Sequence, residues 1–372
     1  MDKIAIIGSG YMAKILASRA NELGIESHCF SYDADSVAAK VAHKFHLINV
    51  LDTQSLIQAC RNEGINGVVA TTELTILPAA QVAAALGLNG NAVEVAREIT
   101  DKNLTRLKVQ GVSDLHQPAF CVCKDTSVPT VEYPVIVKPI AAGGKRGICV
   151  VHQKEQMADA LGQALKISKV EGALVEQYLA GGQEYSVESL SYHGRHYILQ
   201  ITQKDSSGPP NCVELGHHQP AAISETLRQR IQTSVAGALS AAGITNGPCH
   251  TEIKVIEYKI YLIEINGRPG GDHIAYPLTE LSTGYPYITG ILMAALNKLD
   301  ETELEHLQEN YCGVCFVTKQ TENLKPVFDS CDKYPWLYKK NFVSEQLQTI
   351  THNDGFNTNY FIYYSEKERP VF

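Results

Sequence analysis

Thr251-Glu252-Ile253-Lys254 and Leu262-Ile263-Glu264-Ile265-Asn266-Gly267-Arg268-Pro269-Gly270-Gly271 carry the most informative pattern in this 372-residue sequence. Both stretches read as strands, and strand alternation puts Glu264 and Asn266, two positions apart, on one face. An antiparallel pairing of the two would bring Glu252 beside that face, although Glu257-Tyr258 between them is not a favoured tight turn. Two carboxylates and an amide form an all-oxygen site, the kind Mg²⁺ accepts together with nucleotide phosphates. An exposed polar strand face is the plainer alternative, but Glu264 lies among Ile and Leu, where an unpaired carboxylate is penalised. Arg268 follows directly, placed to meet a developing oxyanion or a transferring phosphoryl group.

Upstream, the strand Val135-Ile136-Val137-Lys138-Pro139 holds a lysine at a buried position, and Lys102 lies in Thr100-Asp101-Lys102-Asn103. A buried ammonium needs an anion, and polyphosphate would supply one. Ala141-Ala142-Gly143-Gly144-Lys145-Arg146-Gly147 comes next, a turn whose backbone N–H groups can close over phosphates while two cations add charge; alone it would also pass for a solvated β-turn. Val175-Glu176-Gln177-Tyr178-Leu179 then leads into Gly181-Gly182-Gln183-Glu184-Tyr185-Ser186-Val187-Glu188. A strand that becomes a linker can offer main-chain groups to an adenine edge, with Glu184 for ribose hydroxyls. Taken singly, these glutamates read as exposed strand residues.

At the N-terminus, Ile4–Ile7, Gly8-Ser9-Gly10 and the helical spacing of Met12, Ile15, Leu16, Ala20 and Leu23 read as strand, glycine turn and helix. Gly8-Ser9-Gly10-Tyr11-Met12-Ala13, with Asp33 beyond, fits the dinucleotide fingerprint and by itself suggests a nicotinamide-dependent oxidoreductase. The same turn also serves tight strand-to-helix packing without any nucleotide, and the later motifs favour that reading. Strands at 25–30 and 67–70, a helix around 55–60 and an Ala-rich helix from Pro78 to Leu86 continue the alternation of an open parallel sheet up to about residue 95. From about residue 120 the rhythm becomes α+β, with a helix at 156–167, strands at 175–178, 185–191 and 197–202, and a helix at 224–242. The stretch from 306 to 372 shows short β-like runs whose role is not readable.

A formal charge of −8 with no long Lys/Arg run argues against a nucleic-acid partner. No apolar stretch reaches the roughly 18 residues of a membrane span, and the N-terminus lacks the build of a signal peptide, so the cytoplasm is expected. Ten cysteines in a chain this long are a scatter rather than a disulfide framework. Cys312-Gly313-Val314-Cys315 lies in a strand-like run where positions three apart face opposite sides, which predicts buried thiols and no zinc site.

In this order, the lysine pair, glycine loop, Glu-x-Tyr-Leu linker and Glu…Glu-x-Asn-x-Arg run resemble the ATP-grasp superfamily over about residues 1–300. The resemblance implies a combined α/β and α+β chain: a Rossmann-like domain at 1–95, an ATP-grasp domain at 96–305 with a small lid at about 120–178, and a C-terminal β-rich segment at 306–372 packing on it. It implies that Lys102 and Lys138 bind ATP phosphates, that Gly143, Gly144, Lys145, Arg146 and Gly147 form the phosphate loop, and that Glu176, Tyr178 and Leu179 lie at the adenine. Glu184 would bind ribose, and Glu252, Glu264 and Asn266 would hold Mg²⁺, expected as two ions. Val213–Ala221 and Arg268-Pro269-Gly270-Gly271-Asp272 look most like the L-amino-acid (dipeptide) ligases. That match suggests Glu73, Glu214 and His217 as substrate residues, and Arg268 with the Gly270 and Gly271 backbone at the acyl phosphate. The expected activity is ADP-forming ligation of a carboxylate, with an amino acid as acyl donor, to an amine; a homodimer is compatible with it. Other ATP-grasp reactions, of carboxyphosphate or purine-pathway type, would share the ATP residues and differ around Glu73, Glu214 and His217. Lys145, where many relatives carry serine, and Asp272, where some dipeptide ligases carry a bulky aromatic, depart from the pattern and leave substrate choice open.

Overall fold

The computed structural model describes residues 1–141, 147–168, 170–208, 212–352 and 355–372. Lys3–Ile7, Glu26–Ser31, Lys44–Leu47 and Gly67–Ala70 form a parallel sheet in the spatial order Lys44–Leu47, Glu26–Ser31, Lys3–Ile7, Gly67–Ala70. Lys44–Leu47 is an edge strand that the alternation pattern did not reveal, because its residues are half-buried or exposed and one side of it is unpaired. The Ala-rich helix begins at Glu73, five residues before Pro78, because Thr72 and Thr75 form a reciprocal cap ahead of it.

The glycine turn is accounted for by packing. Gly8 has φ +126°, and a Cβ there would stand 2.1 Å from Thr71 Oγ1, whose hydroxyl donates to the Ile7 carbonyl at 2.9 Å. A side chain at this position would push apart the neighbouring strand ends, with or without a ligand.

Two further sheets face each other across the site. The smaller runs Phe120–Cys123, Ala173–Gln177, Val135–Pro139, Cys149–Val151, all antiparallel, with helix Met157–Ile167 packed on it through Met157, Leu161 and Ala164. The larger has nine strands in the order Leu337–Asn341, Tyr360–Ser365, Tyr311–Phe316, Glu214–Gln219, Arg195–Ser206, Gln183–Tyr192, Gly247–Ile256, Lys259–Asn266 and Leu115–His116. Helix Glu225–Ala242, capped by the Ser224 side chain and closed by Gly243 in the left-handed region, covers it with Ile231, Val235, Ala238 and Leu239.

Gly247–Ile256 and Lys259–Asn266 pair as the expected hairpin, with Glu252 directly opposite Glu264. The unfavoured turn is made nonetheless: Glu257 and Tyr258 both take positive φ, +48° and +63°, the primed geometry that matches strand twist. The strand pairing on both sides overrides the local preference. Three strands from the chain after residue 306 extend the same sheet, and Cys312 and Cys315 point into different apolar clusters on its two faces. All ten cysteines are free thiols. Among the described residues no helix is long and apolar enough to cross a membrane.

Candidate active site

A cavity of about 900 Å³ opens between the nine-stranded sheet, the antiparallel four-stranded sheet and the first turn of helix Glu73–Leu86, at the upper end of small-molecule pockets. Its floor is the hairpin. Like charges directly opposite on paired strands repel, and here lysines stand against both: Lys102 Nζ lies 2.7 Å from Glu264 Oε1 and Lys204 Nζ 3.0 Å from Glu252 Oε1. Asn266 is buried one alternation further on, opposite His250. Opposed hard oxygen donors with cations around them fit Mg²⁺ and phosphates as partners.

Lys102 opens helix Lys102–Lys108, whose N-cap Asp101 accepts the Leu104 N–H. Lys138 reaches Glu176 Oε2 at 2.5 Å, and Arg106 Nε reaches Glu176 Oε1 at 2.7 Å. Both lysines therefore already have an anion, a carboxylate rather than the polyphosphate that their burial suggested. Glu176 is itself 1% exposed, so its side chain organises the two cations, while Tyr178, Leu179 and Glu184 line the cavity. Burial alone would raise the Glu176 pKa; Lys138 and Arg106 hold it down at about 2. Glu184 stands 3.5 Å from Lys254. Gly143, Gly144, Lys145 and Arg146 lie outside the described residues. Gly147, at φ +70°, is a packing position whose Cβ would meet Ile167 Cδ1 at 2.8 Å.

Arg268 Nη2 meets Glu73 Oε1 at 3.3 Å and Nη1 donates to the Pro269 carbonyl at 2.9 Å. Burial and the nearby Glu264 charge raise the Glu73 pKa. Glu214 pairs with Lys204 at 3.1 Å, so Lys204, only 4% exposed, bridges the proposed substrate and metal carboxylates. It was missed because its strand, read as ending at 202, runs to Ser206. The argument from a buried lysine would have found it. His217 is fully buried beside the cavity, edge-on to Phe316, and its ring nitrogens have no hydrogen-bond partner among the described residues. Burial pulls its pKa down to about 3, so it is a neutral imidazole at physiological pH.

One expectation is corrected. Gly270 does not present its N–H to the cavity: it donates to Glu188 Oε2 at 3.0 Å, and a Cβ there would strike Glu188 and His250. Gly271 lines the cavity instead. Glu188, which read as an exposed strand residue, is fully buried; its other oxygen meets His250 Nδ1 at 2.5 Å, and His250 Nε2 lies 3.3 Å from Glu252. This relay ties the backbone after Arg268 to the hairpin carboxylates, and only tertiary structure reveals it. Asp272, at φ +46°, also faces the cavity; burial and the Glu214 charge raise its pKa, and the Gly355 backbone hydrogen-bonds it. Phe356 beside it stacks on Tyr11 at 4.4 Å, closing the contact between the glycine turn and the C-terminal segment.

Residues 131–276 match the ATP-grasp domain family and residues 1–95 the ribonucleotide synthetase preATP-grasp domain family. The chain therefore carries an ATP-grasp domain behind a preATP-grasp domain, and its class is that of the ADP-forming carboxylate–amine ligases, which use ATP with Mg²⁺. Within that class it is similar to the formate-dependent phosphoribosylglycinamide formyltransferase of Sodalis glossinidius, 25% identical over 287 residues, 72% of this chain and 69% of that one. Its fold is similar to that of an L-amino acid ligase from Bacillus licheniformis, with TM-score 0.82 and 21% identity over 99% of this chain and 94% of the other. It is likewise similar to the biotin carboxylase domain dimer of the Hydrogenobacter thermophilus 2-oxoglutarate carboxylase, in complex with MgADP, ADP and bicarbonate, with TM-score 0.74 and 16% identity over 98% and 86% of the two chains.

Proposed function

We propose that this ligase activates the carboxylate of an amino acid as an acyl phosphate and joins it to an amine. The observation that carries this reading is that one cavity is lined both by the carboxylates of Glu214 and Asp272 and by the guanidinium of Arg268. An α-ammonium group is matched by the first and a carboxylate by the second. Mg²⁺ held by Glu252, Glu264 and Asn266 would screen phosphate charge. Lys102 and Lys138 bind the phosphates, turning from Glu264 and Glu176 toward them, and lower the repulsion met by the attacking carboxylate. The carboxylate oxygen takes the γ-phosphoryl group and ADP departs. An amine then attacks the acyl carbon, Arg268 and the Gly271 N–H stabilise the oxyanion, and phosphate leaves. His217, neutral, offers one N–H to the donor without adding a competing positive charge.

The test is a screen of amino-acid pairs for ATP-dependent phosphate release, with products identified by mass spectrometry. Amide products containing an amino-acid acyl group are expected. The second reading follows from the likeness to a formate-dependent enzyme: turnover with formate, bicarbonate or another unaminated carboxylate, and with no amino acid as donor, would overturn the amino-acid assignment and leave the ligase class standing.

A further inference from the structure

We propose that the N-terminal domain carries a second metal site, for a borderline divalent cation such as Zn²⁺, made by His28 Nδ1, His46 Nε2 and a Glu63 carboxylate oxygen. It lies on the parallel sheet rather than in the ligase cavity, and none of its residues has a part in the reaction above.

The site is built by register. Strands Glu26–Ser31 and Lys44–Leu47 pair in parallel with His28 beside Lys44 and Phe30 beside His46, so the two histidines are diagonal neighbours on one face. Glu63, the last residue of helix Thr53–Glu63, comes down onto that face. The three donor atoms lie within 4.8 Å of one another. His28 Nδ1 and His46 Nε2 are 3.0 Å apart, close to the roughly 3.3 Å that two nitrogens subtend at a tetrahedral zinc with bonds of 2.0–2.1 Å.

The surroundings prepare these atoms for a metal. His28 is fully buried, and its Nε2 lies 2.9 Å from Glu26 Oε1. A carboxylate only accepts, so Nε2 carries the proton and Nδ1 presents its lone pair, which is the carboxylate–histidine–metal arrangement that fixes a ligand's tautomer. His46 is oriented by stacking on Phe30 at 4.4 Å. Burial lowers the pKa of both histidines, which keeps them neutral and able to ligate near pH 7. Without metal, His46 Nε2–H donates to His28 Nδ1; on binding, that proton moves to His46 Nδ1 by exchange with water, and no net charge is lost. The groups facing the site are Glu26, Glu63, Lys44 and, through Glu26, Lys3. Lys44 is the competitor, 2.7 Å from Glu63 but on a half-exposed side chain that can swing into solvent. Two imidazoles and one carboxylate leave a fourth position for water and select Zn²⁺ over Mg²⁺.

The full chain is titrated calorimetrically with Zn²⁺ in the presence of excess Mg²⁺, which occupies the ligase site, and separately with Co²⁺ followed by visible absorption. One equivalent of Zn²⁺ and the intense bands of tetrahedral Co²⁺ are expected. His46→Ala should weaken binding by about tenfold or more, Glu63→Gln should do so while leaving both histidines in place, and Lys44→Ala should tighten it. Unchanged Zn²⁺ binding in both His46→Ala and Glu63→Gln, or Co²⁺ bound without tetrahedral bands, overturns the assignment. Because the readout is metal binding and not turnover, its outcome is independent of the substrate of the ligase.

Discussion

Replacing Glu176 by glutamine keeps the shape of a fully buried side chain and removes the negative charge that pairs with both Arg106 and Lys138. Its carboxyl is held at about 2 against an ordinary 4.5. At about 1.36 kcal/mol per pH unit, that gap is worth about 3 kcal/mol of folding stability. It agrees with the 3–5 kcal/mol typical of removing one partner from a buried ion pair, here because two cations would be stranded. The sign follows from the depressed pKa: the contribution is complete above the unfolded value of about 4.5 and is lost as pH falls toward 2, with roughly 1 kcal/mol or more gone by pH 3.5. Urea unfolding followed by circular dichroism at pH 7 and pH 3.5 should give a wild-type advantage over Glu176→Gln of about 3 kcal/mol that narrows by more than 1 kcal/mol in acid. An advantage below about 1 kcal/mol at pH 7, or one that does not narrow, would refute the view that this charge is held by Lys138 and Arg106.

Glu264→Gln is expected to fold normally, since Lys102 keeps an amide oxygen to meet, but to lose roughly two orders of magnitude or more of ADP formation; near-normal turnover by a folded mutant would remove Glu264 from the metal site. Lys204→Met leaves Glu214 and Glu252 without their shared cation and should cost about 3–5 kcal/mol in chemical denaturation; an unchanged midpoint would mean the three groups do not form one network. Glu73→Ala should raise the KM of the acyl donor by roughly ten- to hundredfold by removing the charge-assisted contact that positions Arg268, and an equal effect on ATP would point to impaired domain closure instead.

The parts of this fold that were legible in the sequence are those with a local cause. Alternation around Glu264 and Asn266 predicts a strand face, and antiparallel pairing of the two adjacent strands is inferred even though Glu257-Tyr258 argues against a tight turn. Lys138 is legible because a charge in an apolar run demands a partner, but the partner, Glu176, comes from a strand 38 positions away in sequence, and no local pattern selects it over polyphosphate. The Glu188–His250 relay is assembled from two neighbouring strands and the backbone of Gly270, so its members look like ordinary surface residues until the strands are in register. Lys44–Leu47 escaped for the opposite reason: an edge strand has too little burial to impose alternation on its side chains.

The strand that carries Glu214 and His217 is hydrogen-bonded on one side to Arg195–Ser206 and on the other to Tyr311–Phe316. A fragment ended near residue 305 would therefore keep every residue assigned to ATP yet leave that strand as an open edge, with the apolar face around Cys312, Val314 and Ile362 stripped away. Such an edge invites pairing with another chain, so the predicted behaviour of the truncated protein is aggregation rather than a smaller working enzyme. The same connection offers a handle for redesign: substitutions at Phe316 or Phe356 press on the His217 and Asp272 side of the cavity and leave Lys102 and Lys138 untouched.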